Sequence, residues 1–162
     1  MRILPPAIVL AVVLASSPQL RADDDLTIER LATCQASWLD SKDDVVKIRK
    51  FSESFQSGFT QKEREAFFVP KTKTAVIGLP LLRVFPESVG MGVGFSVMVD
   101  APFDAARKSV EKAAGKSLTH CENGDGMRSC SRELAPKRTL MVMSGDSAKS
   151  QETLIGCYYY EK

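Results

Sequence analysis

Residues 121–130 read Cys-Glu-Asn-Gly-Asp-Gly-Met-Arg-Ser-Cys. Asp-Gly is a preferred two-residue turn of a β-hairpin, and counting outward from a turn at Asp125-Gly126 places the two flanking cysteines directly opposite each other. A longer turn that includes Asn123-Gly124 would shift this register and stays open as an alternative. The stretch therefore predicts a β-hairpin closed by a disulfide between Cys121 and Cys130.

The other two of the four cysteines, Cys34 and Cys157, are then left to pair. An even number of cysteines in an exported chain indicates disulfides, and this second bridge would tie the first predicted helix to the last predicted strand. A zinc site is the competing use of cysteine, but the sequence has no C-x-x-C motif and a single histidine, His120. We therefore expect two disulfides, and no metal or cofactor as the default.

Export itself is predicted by the amino-terminal residues. Arg2, the apolar run 7–15 and the Leu20-Arg21-Ala22 end together have the pattern of a secretory signal peptide. The apolar run is too short to span a bilayer and three aspartates follow the segment, so no stable membrane insertion is expected. We expect residues 1–22 to be removed, with cleavage after Ala15 as the alternative, and the mature protein to be periplasmic or secreted.

The charge balance argues against two classes of partner. Two of the 22 basic side chains lie in the predicted signal, which has no acidic residue, so 20 basic and 20 acidic groups remain in the mature chain. Nucleic-acid binding and attraction to anionic membranes both need a basic excess. A mature chain of about 140 residues is one domain of ordinary size, able to bury a real core. We expect a single domain over residues 23–162.

Helical periodicity dominates the first part of that domain. Apolar residues recur every three to four positions from Ile28 to Leu39, and again from Val45 to Phe59. Residues 60–63, Thr-Gln-Lys-Glu, have the form of a capping box that opens a short third helix ending near Phe68. These patterns predict a helical segment over residues 23–70.

Residues 71–162 have the periodicity of strands, interrupted by one helix. Phe95, Val97 and Val99 alternate with Ser96 and Met98, and a helix follows from Pro102 to Gly115. Further strands are predicted over 73–85 (an edge strand, or one bulged near Gly78 and Pro80), 117–134, 138–144 and 152–160. The order predicts the α+β class: an N-terminal helical segment, then a mainly antiparallel sheet with one crossover helix, braced by disulfides.

Two stretches are candidate binding elements. The loop 86–94 contains Gly90, Gly92 and Gly94, but a strand follows it rather than the helix of a phosphate loop, so we interpret the glycines as forming a tight hairpin or bulge. Such a loop is expected to project from the rim of the sheet and to contact a partner. The second element is the last strand, which exposes hydroxyl-tipped aromatic side chains on one face. The candidate binding residues are Glu87, Ser88, Val89, Met91, Tyr158 and Tyr160.

Catalytic and metal chemistry find weaker support. His120 has no serine or cysteine placed by a motif as its nucleophile, and no G-x-S-x-G is present. A pair of carboxylates for glycoside hydrolysis cannot be recognised among scattered acids. Four methionines, with His120, offer thioethers that suit Cu(I), although methionine on a strand is more often core filler. These methionines are Met98, Met127, Met141 and Met143.

We therefore expect an exported, non-enzymatic binding domain that recognises another exported or envelope protein, in an inhibitor or immunity-type role. The first alternative is a periplasmic carrier of a small ligand or of copper, which would use the methionines or a cavity between sheet and helices. The second alternative is a carboxylate-dependent hydrolase of cell-wall or other polysaccharide.

Overall fold

The computed structural model describes residues 26–37, 44–61, 65–89, 92–145 and 151–159. Within these ranges three helices and ten strands are found, which confirms the α+β class, with more strand than the sequence predicts. No helix in these ranges is long and apolar enough to cross a membrane. The helices are α1 (Ile28–Ala32), α2 (Val45–Gly58) and α3 (Phe103–Ala114). The strands are β1 (Phe59–Gln61), β2 (Phe68–Pro70), β3 (Ala75–Val76), β4 (Leu79–Phe85), β5 (Ser88–Val89), β6 (Gly92–Asp100), β7 (His120–Gly124), β8 (Met127–Ala135), β9 (Arg138–Gly145) and β10 (Glu152–Tyr159).

The strands form one sheet in the order β1-β2-β4-β6-β10-β9-β8-β7, with β3 added beside β4 and β5 beside β6. Every pairing is antiparallel. The chain leaves the middle of the sheet at β6, runs through α3, and enters the far edge as β7. It then returns strand by strand until β10 lies against β6, so the last described strand is central.

Side chains alternate sharply between the two faces of this sheet, as expected when only one face is covered. On the covered face the centre of the sheet is solvent-free: Val84, Phe95, Val97, Val99, Leu140, Val142, Ile155 and Cys157 are all 0 % exposed. On the opposite face, which we call the open face, most of the alternate residues are only half-buried, although Ser96 is 1 % exposed. The half-buried residues include Arg83, Met98, Met141, Met143, Leu154 and Tyr158.

All three described helices lie on the covered face. The Cys34–Cys157 disulfide attaches the end of α1 to β10. The ring of Phe51 in α2 meets that of Phe95 in β6 edge-on, with 6.4 Å between centroids. Beside α3, the hydroxyl of Thr153 donates a hydrogen bond of 2.7 Å to the carbonyl of Ala101. The core is therefore one layer of helices against one layer of sheet.

The first helix is shorter than its periodicity predicts, and it ends at Ala32 rather than near residue 39. Cys34 adopts a left-handed φ of 60°. The N–H groups of Cys34 and Gln35 donate to the carbonyls of Leu31 and Arg30, which is the pattern of a Schellman cap with cysteine in the usual glycine position. The turn aims Cys34 at the sheet, where it bonds to Cys157. Residues 38–43 lie outside the described ranges.

The prediction of a third helix over residues 60–68 is wrong. The ends of this stretch form the antiparallel pair β1 and β2, with Gln61 opposite Phe68, and residues 62–64 are outside the described ranges. Phe59 and Phe68 lie on the ring of Phe55, at centroid distances of 4.6 and 4.9 Å. Burial of these two rings outweighs a local capping signal, which contributes only about 1 kcal/mol.

The region predicted as one bulged strand over residues 73–85 is instead a hairpin of β3 and β4. Ile77 and Gly78 form its turn with φ values of 47° and 78°. Two successive positive φ values are typical of a type I′ turn, which seldom contains isoleucine. Ile77 packs against the core, and its N–H donates to the Glu29 carboxylate at 3.3 Å. A bulge does occur in this region, between Leu81 and Arg83 of β4.

The hairpin of residues 121–130 forms as predicted. Asp125 and Gly126 have φ values of 51° and 73°, and Cys121 is the direct partner of Cys130. Both predicted disulfides are confirmed, and none of the four cysteines is free.

Candidate binding site

The predicted binding loop is largely a small hairpin. Residues of β5 pair with Val93 and Gly92 of β6, and the N–H of Gly94 donates to the carbonyl of Glu87 at 3.3 Å. Glu87 itself is exposed in the turn between β4 and β5. Ser88 and Val89 form β5. Met91 and Tyr160 lie outside the described residues.

Tyr158 stands beside this hairpin. In the pairing of β10 with β6, Tyr158 is the direct partner of Gly94, so the two predicted binding elements meet at one end of the two central strands of the sheet. Tyr158 is half-buried on the open face, whereas Tyr159 points to the covered face and is 4 % exposed. The structure thus brings Glu87, the hairpin and Tyr158 together, whereas the sequence analysis predicted the loop and the last strand as two separate binding elements.

A cavity of about 620 Å³ lies next to this hairpin, between α2, β2 and the turn after β4. Residues at positions i, i+1, i+4 and i+5 of α2 form one wall, because they share one side of a helix. The opposite wall comes from the β1–β2 region and from the turn that carries Glu87. The described lining residues are Phe51, Ser52, Phe55, Gln56, Gln61, Ala66, Phe68, Pro86 and Glu87.

Stacked aromatic rings form the floor of the cavity. Phe51 and Phe55 stack with 5.7 Å between centroids, and Phe55 in turn contacts Phe59 and Phe68. Such a chain of rings holds each ring in place and leaves an apolar surface in a fixed shape. Because Phe51 and Phe55 are at most 9 % exposed, the floor is continuous with the core rather than a loose surface patch.

The rim of the cavity is polar, and its described residues include one acid. Glu87 is the sole acid among the described residues that line it, and Ser52, Gln56 and Gln61 supply a hydroxyl and two carboxamides. The side chain of Gln61 donates to the carbonyl of Glu65 at 3.1 Å, which steadies that wall. The arrangement can hold an apolar group on the rings while placing a cation or an N–H donor beside Glu87.

Sequence reasoning missed the aromatic residues of this site and assigned them to the core. One signal was available: five of the eight phenylalanines fall between residues 51 and 68. Three of these five, Phe51, Phe55 and Phe68, line the cavity, whereas Phe67 packs against Phe85.

The remaining candidate residues do not join this site. His120 is exposed on the edge strand β7, and the methionines named from the sequence lie on the open face or at its border. Within the described ranges no three or more His, Cys, Asp and Glu residues cluster in a way that would hold a metal ion.

Glu111 is the acid with the clearest structural role, on the covered side and away from the cavity. The backbone N–H of Leu118 donates to its Oε1 atom at 2.8 Å, and Arg107 lies 3.1 Å away. These contacts lower the pKa of Glu111, the Leu118 hydrogen bond first, against the opposing effect of burial. A carboxylate held ionised in this way fixes the end of α3 to the start of the hairpin that follows.

No protein-family model, curated protein or solved structure matches this chain.

Proposed function

We propose that the protein is an exported binding domain that recognises another protein, and that the partner inserts an apolar side chain into the aromatic cavity. The observation that carries this proposal is the cavity of about 620 Å³ with a floor of phenylalanine rings and an acidic rim. Preformed apolar cavities that fix a large side chain are typical anchor sites of protein interfaces. The volume falls within the range of about 300–1,000 Å³ usual for pockets that hold small ligands, so it leaves room for an anchor side chain together with part of its neighbouring backbone.

The chemistry of the rim specifies the partner further. An aromatic or branched side chain fits the phenylalanine floor, and a lysine or arginine next to it would pair with Glu87. The carboxamides of Gln56 and Gln61 suit the backbone of the same segment, since each offers both a donor and an acceptor. We infer that the partner presents an apolar anchor beside a basic residue.

The hairpin of β5 and β6 extends this surface. Pro86 and Glu87 belong both to the cavity wall and to the base of that hairpin, and Tyr158 flanks it on the open face. A partner seated in the cavity would therefore also contact the loop predicted from the sequence as the binding element. A disulfide-braced domain that changes shape little on binding suits the inhibitor or immunity-type role.

Export is part of the proposal. Two disulfides in one small domain are compatible with an oxidising compartment, since such bonds form and persist outside the reducing cytosol. The predicted signal peptide, residues 1–22, lies outside the described ranges. Expression of the full chain, followed by separation of the periplasmic and cytoplasmic fractions, tests this part directly. An uncleaved chain that stays in the cytoplasm would contradict it.

A small-ligand carrier is the second candidate, and the size of the same cavity favours it. Native mass spectrometry of the protein purified without denaturation separates the two candidates. A small molecule that is bound to the wild-type protein, and absent from a variant with a large side chain in the cavity, would support the carrier. An empty protein that still captures peptides would support the protein-binding function.

The decisive experiment fills the cavity. Ser52→Phe places a ring into the space, whereas Glu53→Phe adds the same ring at the neighbouring, exposed position of α2 and serves as the matched control. Peptides selected from a random library on the wild-type protein are expected to share an apolar anchor next to Lys or Arg. Ser52→Phe should weaken their binding by about tenfold or more, about 1.4 kcal/mol, and the control should not.

Charge reversal checks the orientation of the bound segment. Glu87→Lys should shift the selected peptides from basic to acidic residues beside the anchor, while Glu122→Lys on the distant edge strand β7 should leave the selection unchanged. Peptides that bind Ser52→Phe as tightly as the wild type, or a selection without a shared anchor, would refute the proposal.

A further inference from the structure

A groove runs along the side of α2 that faces away from the aromatic cavity. Two concavities, of about 250 and 240 Å³, lie there between the same two walls. Phe51 and Ser54 of α2 belong to one wall of both concavities, and Leu26 and Thr27, just before α1, belong to the other. We call this feature the α2 groove. Each concavity alone is smaller than the range of about 300–1,000 Å³ usual for ligand pockets, but the two joined fall within it.

Helical geometry separates the groove from the aromatic cavity. Residues 47, 50, 51 and 54 lie on one flank of α2, because residues three and four positions apart share a side of a helix. Ser52 and Gln56, which line the aromatic cavity, lie on the other flank. The rings of Phe51 and Phe55 stand between the two flanks and are stacked on each other. A ligand in the groove would therefore not enter the aromatic cavity.

The floor of the groove is apolar and reaches the core. Leu26, Phe51, Val76 and Leu81 are 4–8 % exposed, whereas the sheet residues at the centre of the core are 0 % exposed. The apolar residues that line the larger concavity are Leu26, Ile28, Phe51, Phe55, Phe59, Ala75, Val76 and Leu81. An apolar chain laid on this floor would gain free energy by leaving water.

One end of the groove is cationic. Lys47 and Lys50 line the smaller concavity, and none of the described residues around it is an acid. Within the described ranges neither ammonium group forms an ion pair, whereas Arg49, on another side of α2, lies 3.8 Å from Glu53. The Asp44 carboxylate accepts the backbone N–H of Lys47 at 2.9 Å as the helix cap. Two flexible ammonium donors on adjacent turns can therefore converge on one anion.

Hydroxyl groups complete this end, and an acid marks the other. Thr27 and Ser54 line the smaller concavity, and the Thr27 hydroxyl oxygen accepts the backbone N–H of Arg30 at 3.2 Å, which leaves its proton free to be donated. Glu29 lines only the larger concavity, where its carboxylate accepts the N–H of Ile77 at 3.3 Å. An anionic group is thus attracted to the lysine end and repelled from the opposite end, so a ligand would bind in one direction.

We propose that the α2 groove binds an anionic amphiphile with a single apolar chain, of the class of fatty-acid carboxylates. The carboxylate lies between Lys47 and Lys50, where charge-assisted hydrogen bonds hold it. The chain extends over Phe51 toward Leu81. This site is independent of the partner protein proposed above, so either proposal can fail without the other.

The test is isothermal titration of the disulfide-intact mature chain with decanoate, below the concentration at which it forms micelles. One equivalent per chain should bind. Decyltrimethylammonium, which has the same chain length and a cationic head, should bind at least tenfold more weakly. In an NMR spectrum the amide signals of Leu26, Thr27 and Ser54 should shift on addition of decanoate, and that of Glu87 should not.

Charge removal tests the cationic end. The double variant Lys47→Gln, Lys50→Gln should weaken decanoate binding by about tenfold, because the head then lacks both cations. The matched control is Lys108→Gln, Lys112→Gln, which removes two exposed lysines from α3 and should leave the affinity unchanged. Added salt should weaken binding to the wild type more than binding to the Lys47, Lys50 variant.

Filling the groove tests the apolar floor and separates the two sites. Ser54→Phe should weaken decanoate binding by about tenfold or more and leave peptide capture unchanged. Ser52→Phe, two residues away on the other flank of α2, should have the opposite pair of effects. Unchanged melting temperatures establish that these variants fold.

Four results would overturn the proposal. The Lys47, Lys50 variant could bind decanoate as tightly as the wild type, or the α3 control could lose as much affinity. Ser52→Phe could weaken decanoate binding while Ser54→Phe does not, which would place the ligand in the aromatic cavity. Finally, decanoate could bind only after residues 23–25, the aspartates that precede Leu26 and lie outside the described ranges, are changed to asparagine. The two lysines would then serve the chain's own carboxylates.

Discussion

Removing each disulfide separately should lower the stability of the protein by very different amounts. The Cys34–Cys157 bridge closes a sequence separation of 123 residues, and the Cys121–Cys130 bridge closes one of 9. On the loop-entropy model, deleting the first raises the entropy of the unfolded chain by the equivalent of about 5 kcal/mol, and deleting the second by about 2.7 kcal/mol. The difference between the two paired alanine variants is then about 2 kcal/mol.

Burial enlarges this difference. Cys157 is 0 % exposed and Cys34 is 8 % exposed, so alanine at both positions leaves a cavity between α1 and the sheet. On the edge hairpin Cys121 is exposed, and only Cys130 contributes to the core. Cavities in a packed core add to the cost of a deletion because the surroundings relax only partly. The long-range bridge should thus account for a large share of a total stability of about 5–15 kcal/mol.

Urea unfolding followed by far-ultraviolet circular dichroism measures both effects. We expect the double variant Cys34→Ala, Cys157→Ala to unfold at a much lower urea concentration than the double variant Cys121→Ala, Cys130→Ala. The free energy of unfolding of each variant is calculated from its own midpoint and slope. Equal losses, or a larger loss from the hairpin variant, would show that the long ring does not restrict the unfolded chain as the model requires. The order of the two variants therefore tests the reasoning even if both absolute costs are smaller than calculated.

Four further results are expected. Titration of the denatured, unreduced protein with a thiol reagent should find no reactive sulfur, and two or more would contradict both bridges. Glu111→Gln should destabilise the protein more at pH 7 than at pH 3. The folded protein lowers the pKa of Glu111 below 4.5, so the ionised carboxylate stabilises the fold above pH 4.5, and this stabilisation is lost as the pH falls through the lowered pKa. Parallel melting curves at the two pH values check this. Lys137→Asn should raise the free energy of unfolding, measured in urea, by about 0.5–1 kcal/mol, because Lys137 has a left-handed φ of 65° that asparagine tolerates better. A lower free energy of unfolding would argue against backbone strain at this turn. Val89→Ser with Met91→Ser should change that free energy by less than about 0.5 kcal/mol while weakening capture of the partner, and unfolding of the double variant would place the loop in the core.

Local chemistry explains which parts of the fold the sequence could predict. The hairpin at Asp125-Gly126 needs two adjacent residues that accept positive φ, and Asp-Gly is a dipeptide that meets this need. The alternation of β6 and the terminal glycine of α3 are equally local. The register of Cys121 with Cys130 followed directly from the turn.

Packing and covalent contacts explain the failures. Cys34 ends α1 in a conformation that suits its bridge to Cys157, and the residues near position 34 give no sign of that constraint. The capping box at Thr60 is a valid local signal, but the packing of Phe59 and Phe68 on Phe55 outweighs it. In both cases a contact of the folded protein outweighs a local preference of about 1 kcal/mol.

The candidate site was predictable only in part, for the same reason. Glu87 was found because a loop rich in glycine is recognisable within a few residues. The cavity beside it needs α2, β2 and the turn after β4 to meet, and the sequence gives no distance between them.

The bridge between Cys34 and Cys157 also determines how the domain would bear a mechanical load. Tension applied through the chain before residue 34 and after residue 157 would pass across a single covalent link. The intervening residues would form a closed ring that carries no force, so neither the sheet nor the helices inside it would be stretched. Reduction of that one bond would put the whole ring in the path of the load, and the pairing of β10 with β6 and β9 would then have to resist it.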